Sequence, residues 1–241
     1  MPNVTVKEVE QALHTLADAK DAEHLQRFFK TGKGQYGEGD RFLGIRVPAL
    51  RALVRRFRLL AFEHTLILLR SEWHEQRLLA LLLLVEQYRR GTDAERAKIY
   101  RAYLDHTQYI NNWDLVDSSA EHIVGPQLNP AKPRVLDPLV RSDLIWERRI
   151  AMLATFHWIK QSESRPALHV AKQLVHDPHD LIHKAVGWML REVGKRDLAA
   201  EESFLREHHG EMPRTMLRYA IERLPERRRQ QYLRGEVRNT S

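Results

Sequence analysis

His74-Glu-Gln-Arg-Leu-Leu-Ala-Leu81 returns, altered, as Trp146-Glu-Arg-Arg-Ile-Ala-Met-Leu153, and again in shortened form as Ile182-His-Lys-Ala-Val-Gly-Trp188. In this register Arg77, Arg149 and Lys184 are equivalent, at separations of 72 and 35 residues, so the first step spans two units. Asp117 falls between the first two. Each copy has the 3.6-residue periodicity of a helix rather than the alternation of a strand.

The same periodicity extends outward. Leu50, Leu53, Val54 and Phe57 fall at i, i+3, i+4 and i+7, and Ile145, Arg149, Met152 and Phe156 lie in a mostly apolar helix. Gly, Pro, Asp and Asn punctuate the chain at 31–40, 91–93, 125–133, 176–180, 210–213 and Pro225. Pro48, Pro166 and Pro213 sit where a first helical turn accepts proline. A repeat of about 32–40 residues built of helix pairs is what HEAT-type arrays show. The expected fold is therefore all-α: a HEAT-like helical repeat solenoid of antiparallel helix pairs, curved, with a concave groove. Inner helices of such a stack offer one residue per repeat to that groove. A single domain over 1–235 with a polar tail at 236–241 is expected. The glycine-rich Gly32-Lys-Gly-Gln-Tyr-Gly-Glu-Gly-Asp40 is the one stretch that reads as a linker.

Among 241 residues, 39 Lys and Arg stand against 32 Asp and Glu, a net charge of +7. That surplus suits a polyanion, most simply nucleic acid. The chain contains no cysteine, which excludes disulfides, thiol catalysis and Cys-ligated zinc. Met-Pro-Asn-Val-Thr lacks the basic and apolar regions of a signal peptide. The longest apolar run, Leu78 to Val85, is far short of the roughly 20 residues that span a bilayer. A soluble, cytoplasmic, monomeric protein without membrane contact is expected.

Three stretches could carry chemistry. In Asn112-Trp-Asp-Leu-Val-Asp-Ser118, Asn112 can cap a helix and Asp114 suits its first turn. Trp113 and Asp117, four apart, share one face. Read plainly, Trp113 is core and Asp117 is solvated or ion-paired. In Ile145-Trp-Glu-Arg-Arg-Ile-Ala151, Arg148 and Arg149 point about 100° apart, so one can face a groove while the other ties helices together. In Lys184-Ala-Val-Gly-Trp-Met-Leu-Arg-Glu192, the helical Gly187 calls for close packing or close approach of a ligand. The glycines of 32–39 lack the context of a phosphate-binding loop, though Lys33 could touch a phosphate. His176, His179 and His183 lack the partners of a metal motif. No metal and no cofactor are expected.

Phe42-Leu-Gly-Ile-Arg-Val-Pro48, Trp113-Asp-Leu-Val-Asp117, Ile145-Trp-Glu-Arg-Arg149 and Lys184-Ala-Val-Gly-Trp-Met-Leu-Arg-Glu192 together resemble, in order and spacing, the signatures of AlkD-like DNA alkylation repair proteins. The resemblance covers roughly residues 5–225. It implies a HEAT-like glycosylase that cradles double-stranded DNA containing alkylated bases. Such an enzyme hydrolyses the N-glycosidic bond of cationic N3- and N7-alkylpurines, such as 3-methyladenine and 7-methylguanine, without cofactor. By motif, Trp113 and Trp188 match the aromatics that flank the lesion's deoxyribose, Asp117 the catalytic carboxylate, and Arg149 an arginine on the DNA backbone. Arg148 and Lys184 are expected at or near the same positive face, with Arg77 a weaker member. Phe28 is the choice for the N-terminal aromatic that approaches DNA. The alternative is a non-catalytic HEAT-like module that binds DNA or protein, since a scaffold can keep its groove and lose its chemistry.

Overall fold

The computed structural model describes residues 4–237. Among them every regular element is helical, apart from a lone bridge between Arg41 and Trp73. The tail expected at 236–241 lies, from 238 on, outside the described residues. The chain forms two compact units, one ending at Ser119 and one beginning at Ala120.

The first unit contains α1 (Val6–Leu16), α2 (Ala19–Phe28), α3 (Val47–Phe57), α4 (Phe62–Leu69), α5 (His74–Arg90), α6 (Asp93–Leu104) and α7 (Trp113–Asp117). Its spine is α5, which packs against α3, α4, α6 and α7. Every residue from His74 to Leu81 is buried, so α5 is a core helix rather than an amphipathic surface one. Polar groups at its start therefore need partners. Glu75 accepts the N–H groups of Leu43 (2.8 Å), Gly44 (2.8 Å) and Ile45 (3.1 Å). Gly44 has φ +87°, and a Cβ there would strike the Asp18 carbonyl, so only glycine fits the turn. The Phe42–Ile45 part of the Phe42–Pro48 signature is thus a buried loop wrapped on a carboxylate, and Val47 and Pro48 open α3 at the surface.

The glycine-rich stretch is no linker; it lies inside the first unit and folds on itself. Gly37 N–H bonds the Lys30 carbonyl (3.2 Å), Gly39 N–H the Thr31 carbonyl (3.4 Å), and Gly34 N–H the Glu38 carboxylate (2.7 Å). It delivers Asp40 to the interior.

The second unit contains α8 (Ala120–Ile123), α9 (Asp137–Val140), α10 (Ile145–Ala154), α11 (Phe156–Ile159), α12 (Arg165–Leu174), α13 (Asp180–Gly194), α14 (Leu198–His208), α15 (Arg214–Ala220) and α16 (Glu226–Arg234). Here α13 is the spine, against α10, α12, α14 and α15. Gly187 is explained by helix packing: a Cβ would run into the Met216 carbonyl and Tyr219 of α15.

Hydrogen bonds correct the register of the repeat. Ser71, Ser142 and Asp177 each accept, through the side chain, the N–H two residues on, in Trp73, Leu144 and His179 (3.0, 3.0 and 2.8 Å). The backbone carbonyl of each then accepts the side chain six residues on: Arg77, Arg148 and His183. The equivalent residues are therefore Arg77, Arg148 and His183, one step earlier than the sequence alignment in the second and third copies. Arg149 and Lys184 correspond to Leu78. His179 and His183 serve this turn, His179 capping α13 through Leu181 N–H (3.1 Å).

Glu201 on α14 is buried, and its Oε1 has no hydrogen-bond partner among the described residues. Burial, aided by the neighbouring Glu202 charge and opposed by Arg191, pushes its carboxyl up to about 8. The folded protein thus holds a neutral Glu201 at pH values where the unfolded chain ionises it. Stability from this group is complete below the ordinary carboxylate range. It is lost as pH rises from there through about 8. Urea titrations of the wild type should show a fall on the order of 2–4 kcal/mol between about pH 5 and pH 8 that Glu201→Gln lacks. Parallel profiles for the two proteins would place the cause elsewhere.

Candidate active site

In the first unit the sequence-identified residues gather around α7. This helix has five residues, too few to persist alone, so its neighbours must hold it. Asn112 caps it, with Oδ1 accepting Trp113 N–H (2.9 Å). Asp114 Oδ1 accepts Leu115 N–H (2.9 Å). At the other end the Ser119 hydroxyl bonds the Leu115 carbonyl (2.6 Å) and the Tyr103 hydroxyl (2.9 Å).

Trp113 is half-buried. Its ring stacks on Phe29 (centroids 5.1 Å, planes 24° apart) and meets Phe28 edge-on (6.0 Å). Phe28 is 56% exposed, an open aromatic beside a half-open one. Phe28 and Trp113, far apart in sequence, come together in the fold. Asp117 is the last residue of α7 and is half-buried. Tyr103 lies close enough to feel its charge. Burial, opposed by the Ser119 bond and reinforced by Asp117, pushes the Tyr103 phenol up. The face therefore offers two aromatic surfaces and a carboxylate, a set that can attract and stabilise a developing cation.

Behind this face lies a group that sequence reasoning did not single out. His74 Nδ1 meets Asp40 Oδ2 at 2.8 Å, and His74 Nε2 meets Asp114 Oδ2 at 2.8 Å. Arg77 also bonds Asp40, and Asn112 Nδ2 reaches it at 3.4 Å. Arg77 is buried in an ion pair with Asp40 and also bonds the Ser71 carbonyl, so its charge is balanced inside the first unit rather than added to a DNA-facing row.

In the second unit, Trp188 on α13 is half-buried. It meets Phe156 edge-on at 5.8 Å, and its indole N–H faces the Glu192 carboxylate. Arg149 is 5% exposed and donates to the Leu181 carbonyl (2.6 Å). Arg148 spends its guanidinium on Asp177 (2.7 Å) and on the Ser142 (2.8 Å) and Asp143 (3.1 Å) carbonyls. Of the adjacent pair, Arg148 is thus the one that ties helices together. Lys184 is paired with Asp180 (2.7 Å) at the surface. No helix among the described residues is long and apolar enough to cross a membrane.

No curated protein sequence matches the chain. A solved structure of a predicted DNA alkylation repair enzyme from Enterococcus faecalis is similar in fold. It has a TM-score of 0.67 and 16% identity, and the match covers 87% of this chain and 97% of that one. The family model for DNA alkylation repair enzymes matches residues 9–224. Because the match takes in α7 with Trp113 and Asp117, as well as α10 and α13, the chain belongs to the DNA alkylation repair enzyme family.

Proposed function

We propose that this protein is a DNA glycosylase that hydrolyses the N-glycosidic bond of N3- and N7-alkylated purines in duplex DNA. The observation that carries the reading is the α7 face: Asp117 and Trp113 one turn apart, with Trp113 fixed by Phe29 and flanked by the exposed Phe28. Alkylation at N3 or N7 leaves the purine cationic and ready to depart. As the C1′–N bond breaks, its electron pair neutralises the purine and positive charge grows on the sugar. The Asp117 carboxylate stabilises that charge and can take the proton of the water that bonds to C1′. The indole of Trp113 adds cation–π attraction. In the second unit we assign Trp188 to the reaction as well.

The test is release of 7-methylguanine and 3-methyladenine from alkylated duplex DNA, with unmodified duplex as control. Release from the alkylated duplex alone is the expected result. Binding without release would favour the non-catalytic DNA-binding module.

We assign backbone contacts to Lys184 and Arg149, and a stacking or wedging contact to Phe28. Arg148 holds the turn before α10. Each phosphate contact contributes about 0.9 to the slope of log K against log salt. Lys184→Ala should therefore weaken binding alike for all sequences and lower that slope by about one unit. Arg149→Ala should do the same. An unchanged slope for Arg149→Ala would make its guanidinium part of the fold, as its bond to Leu181 already is.

A further inference from the structure

Asp114 lies on α7 between the two residues assigned to the lesion, yet its Oδ2 is turned inward to His74. His74 starts α5, the spine of the first unit, and only 1% of it is exposed. The geometry assigns His74 as a positioning residue: bonded to Asp40 on one side and Asp114 on the other, it sets how α7 presents Trp113 and Asp117. This inference rests on the glycosylase reading and deepens it.

The contact is double. Through Nε2, His74 holds Asp114. Through its ring it packs on Phe42 (4.4 Å, 21°) and on Phe29 (5.1 Å), and Phe29 carries Trp113 on its stacked face. A five-residue helix is thereby tied to a 17-residue one by a charged hydrogen bond and by a stack of rings. The bond at each ring nitrogen runs to a carboxylate oxygen, which can only accept. Both nitrogens must donate, so His74 is an imidazolium. Its proton also balances the cluster: His74 and Arg77 face Asp40 and Asp114. Glu75, next along α5, is turned away to the N–H groups of 43–45. Burial pulls the His74 ring down, but Asp114 and Asp40 outweigh it and raise it to about 9. Charge-assisted bonds of this kind are among the stronger ones available to a side chain. Glutamine at this position is neutral and carries both of its N–H donors on one nitrogen, so it cannot place a donor at each of the two ring-nitrogen positions.

The test is a double-mutant cycle on the full chain. Single-turnover release of 7-methylguanine at saturating enzyme is measured for wild type, His74→Gln, Asp117→Asn and the double variant. Duplex affinity is measured alongside. His74→Gln should slow release by about tenfold with affinity changed less than about twofold. In the Asp117→Asn background its effect should shrink to about threefold or less, because a misplaced carboxylate matters only where the carboxylate is present. Full additivity, an unchanged rate, or a loss matched by weaker binding would overturn the assignment. Asp114→Asn, which removes one arm of the clamp, is measured against the same thresholds and decides the matter should His74→Gln fail to fold. A second readout needs no activity. In ¹⁵N spectra His74 should show both ring N–H protons at neutral pH, and the Trp113 indole resonance should move in His74→Gln or Asp114→Asn. Absence of base release by wild type would sink the glycosylase reading, and the spectra then judge the clamp: a static Trp113 resonance would refute it.

Discussion

Asp117→Asn is expected to slow release of 7-methylguanine by about tenfold or more while leaving duplex affinity little changed. Asparagine keeps the size and much of the hydrogen bonding of the side chain but removes its charge. Each decade of rate corresponds to about 1.36 kcal/mol of transition-state stabilisation. A single charge facing a developing oxocarbenium, partly shielded from water, supplies that much. Asp117 is half-buried at the end of α7, close enough to Tyr103 for its charge to raise the phenol. Binding should hardly suffer, because an acidic residue does not help to grip phosphate. The loss should be partial: a cationic alkylpurine leaves readily by itself, and Trp113 remains. Single-turnover rates at saturating enzyme, with circular dichroism to verify folding, make the comparison. Equal rates would remove Asp117 from the mechanism.

The all-helical class is legible in the sequence because burial on one face of a helix repeats every 3.6 residues, as Leu50–Phe57 displays directly, whereas the unbroken run Leu78–Val85 marks a helix buried all round. That Trp113 and Asp117 share one face of α7 is legible for the same reason, being a matter of helical spacing. What sequence periodicity cannot show is which polar residue meets which across the fold. Asp40, His74 and Asp114 are separated by 34 and 40 residues, and nothing local marks His74 as the centre of a charged clamp. The sequence register of the repeat differs by one residue from the hydrogen-bonded register in the second and third copies for a related reason. Arg149 copies the chemistry of Arg77, but Arg148 copies its bonds. Two adjacent arginines look alike in sequence and differ by about 100° in direction. That angle decides that Arg148 closes the turn and leaves Arg149 to bond Leu181. The glycines of 32–39 read as a linker because flexibility and tight folding ask for the same residue.

Glu75→Ala is the structural counterpart with the largest expected cost. The carboxylate accepts three backbone N–H groups from the Leu43–Ile45 loop, and all of these groups are buried. Alanine would strand three buried donors at once. A buried donor left unsatisfied costs about 1–3 kcal/mol, and bonds to a charged acceptor lie at the upper end. The three share one acceptor and can partly relax together, so about 3–5 kcal/mol is expected. That is a large share of the roughly 5–15 kcal/mol that stabilises a typical domain. Glu23→Ala, which breaks an exposed pair with Arg27, is the control and should cost about 0.5 kcal/mol or less. Urea titration gives both values, and hydrogen exchange at the amides of Leu43, Gly44 and Ile45 locates the effect. A Glu75→Ala midpoint close to that of Glu23→Ala would mean that apolar packing of Phe42, Leu43 and Ile45 holds the loop without the carboxylate. The expected loss reaches the candidate site as well. Asp40 lies two residues before Phe42 and braces His74, so a loop released from Glu75 also loosens the clamp behind Trp113. Base release by Glu75→Ala should therefore fall at temperatures where the protein is still folded.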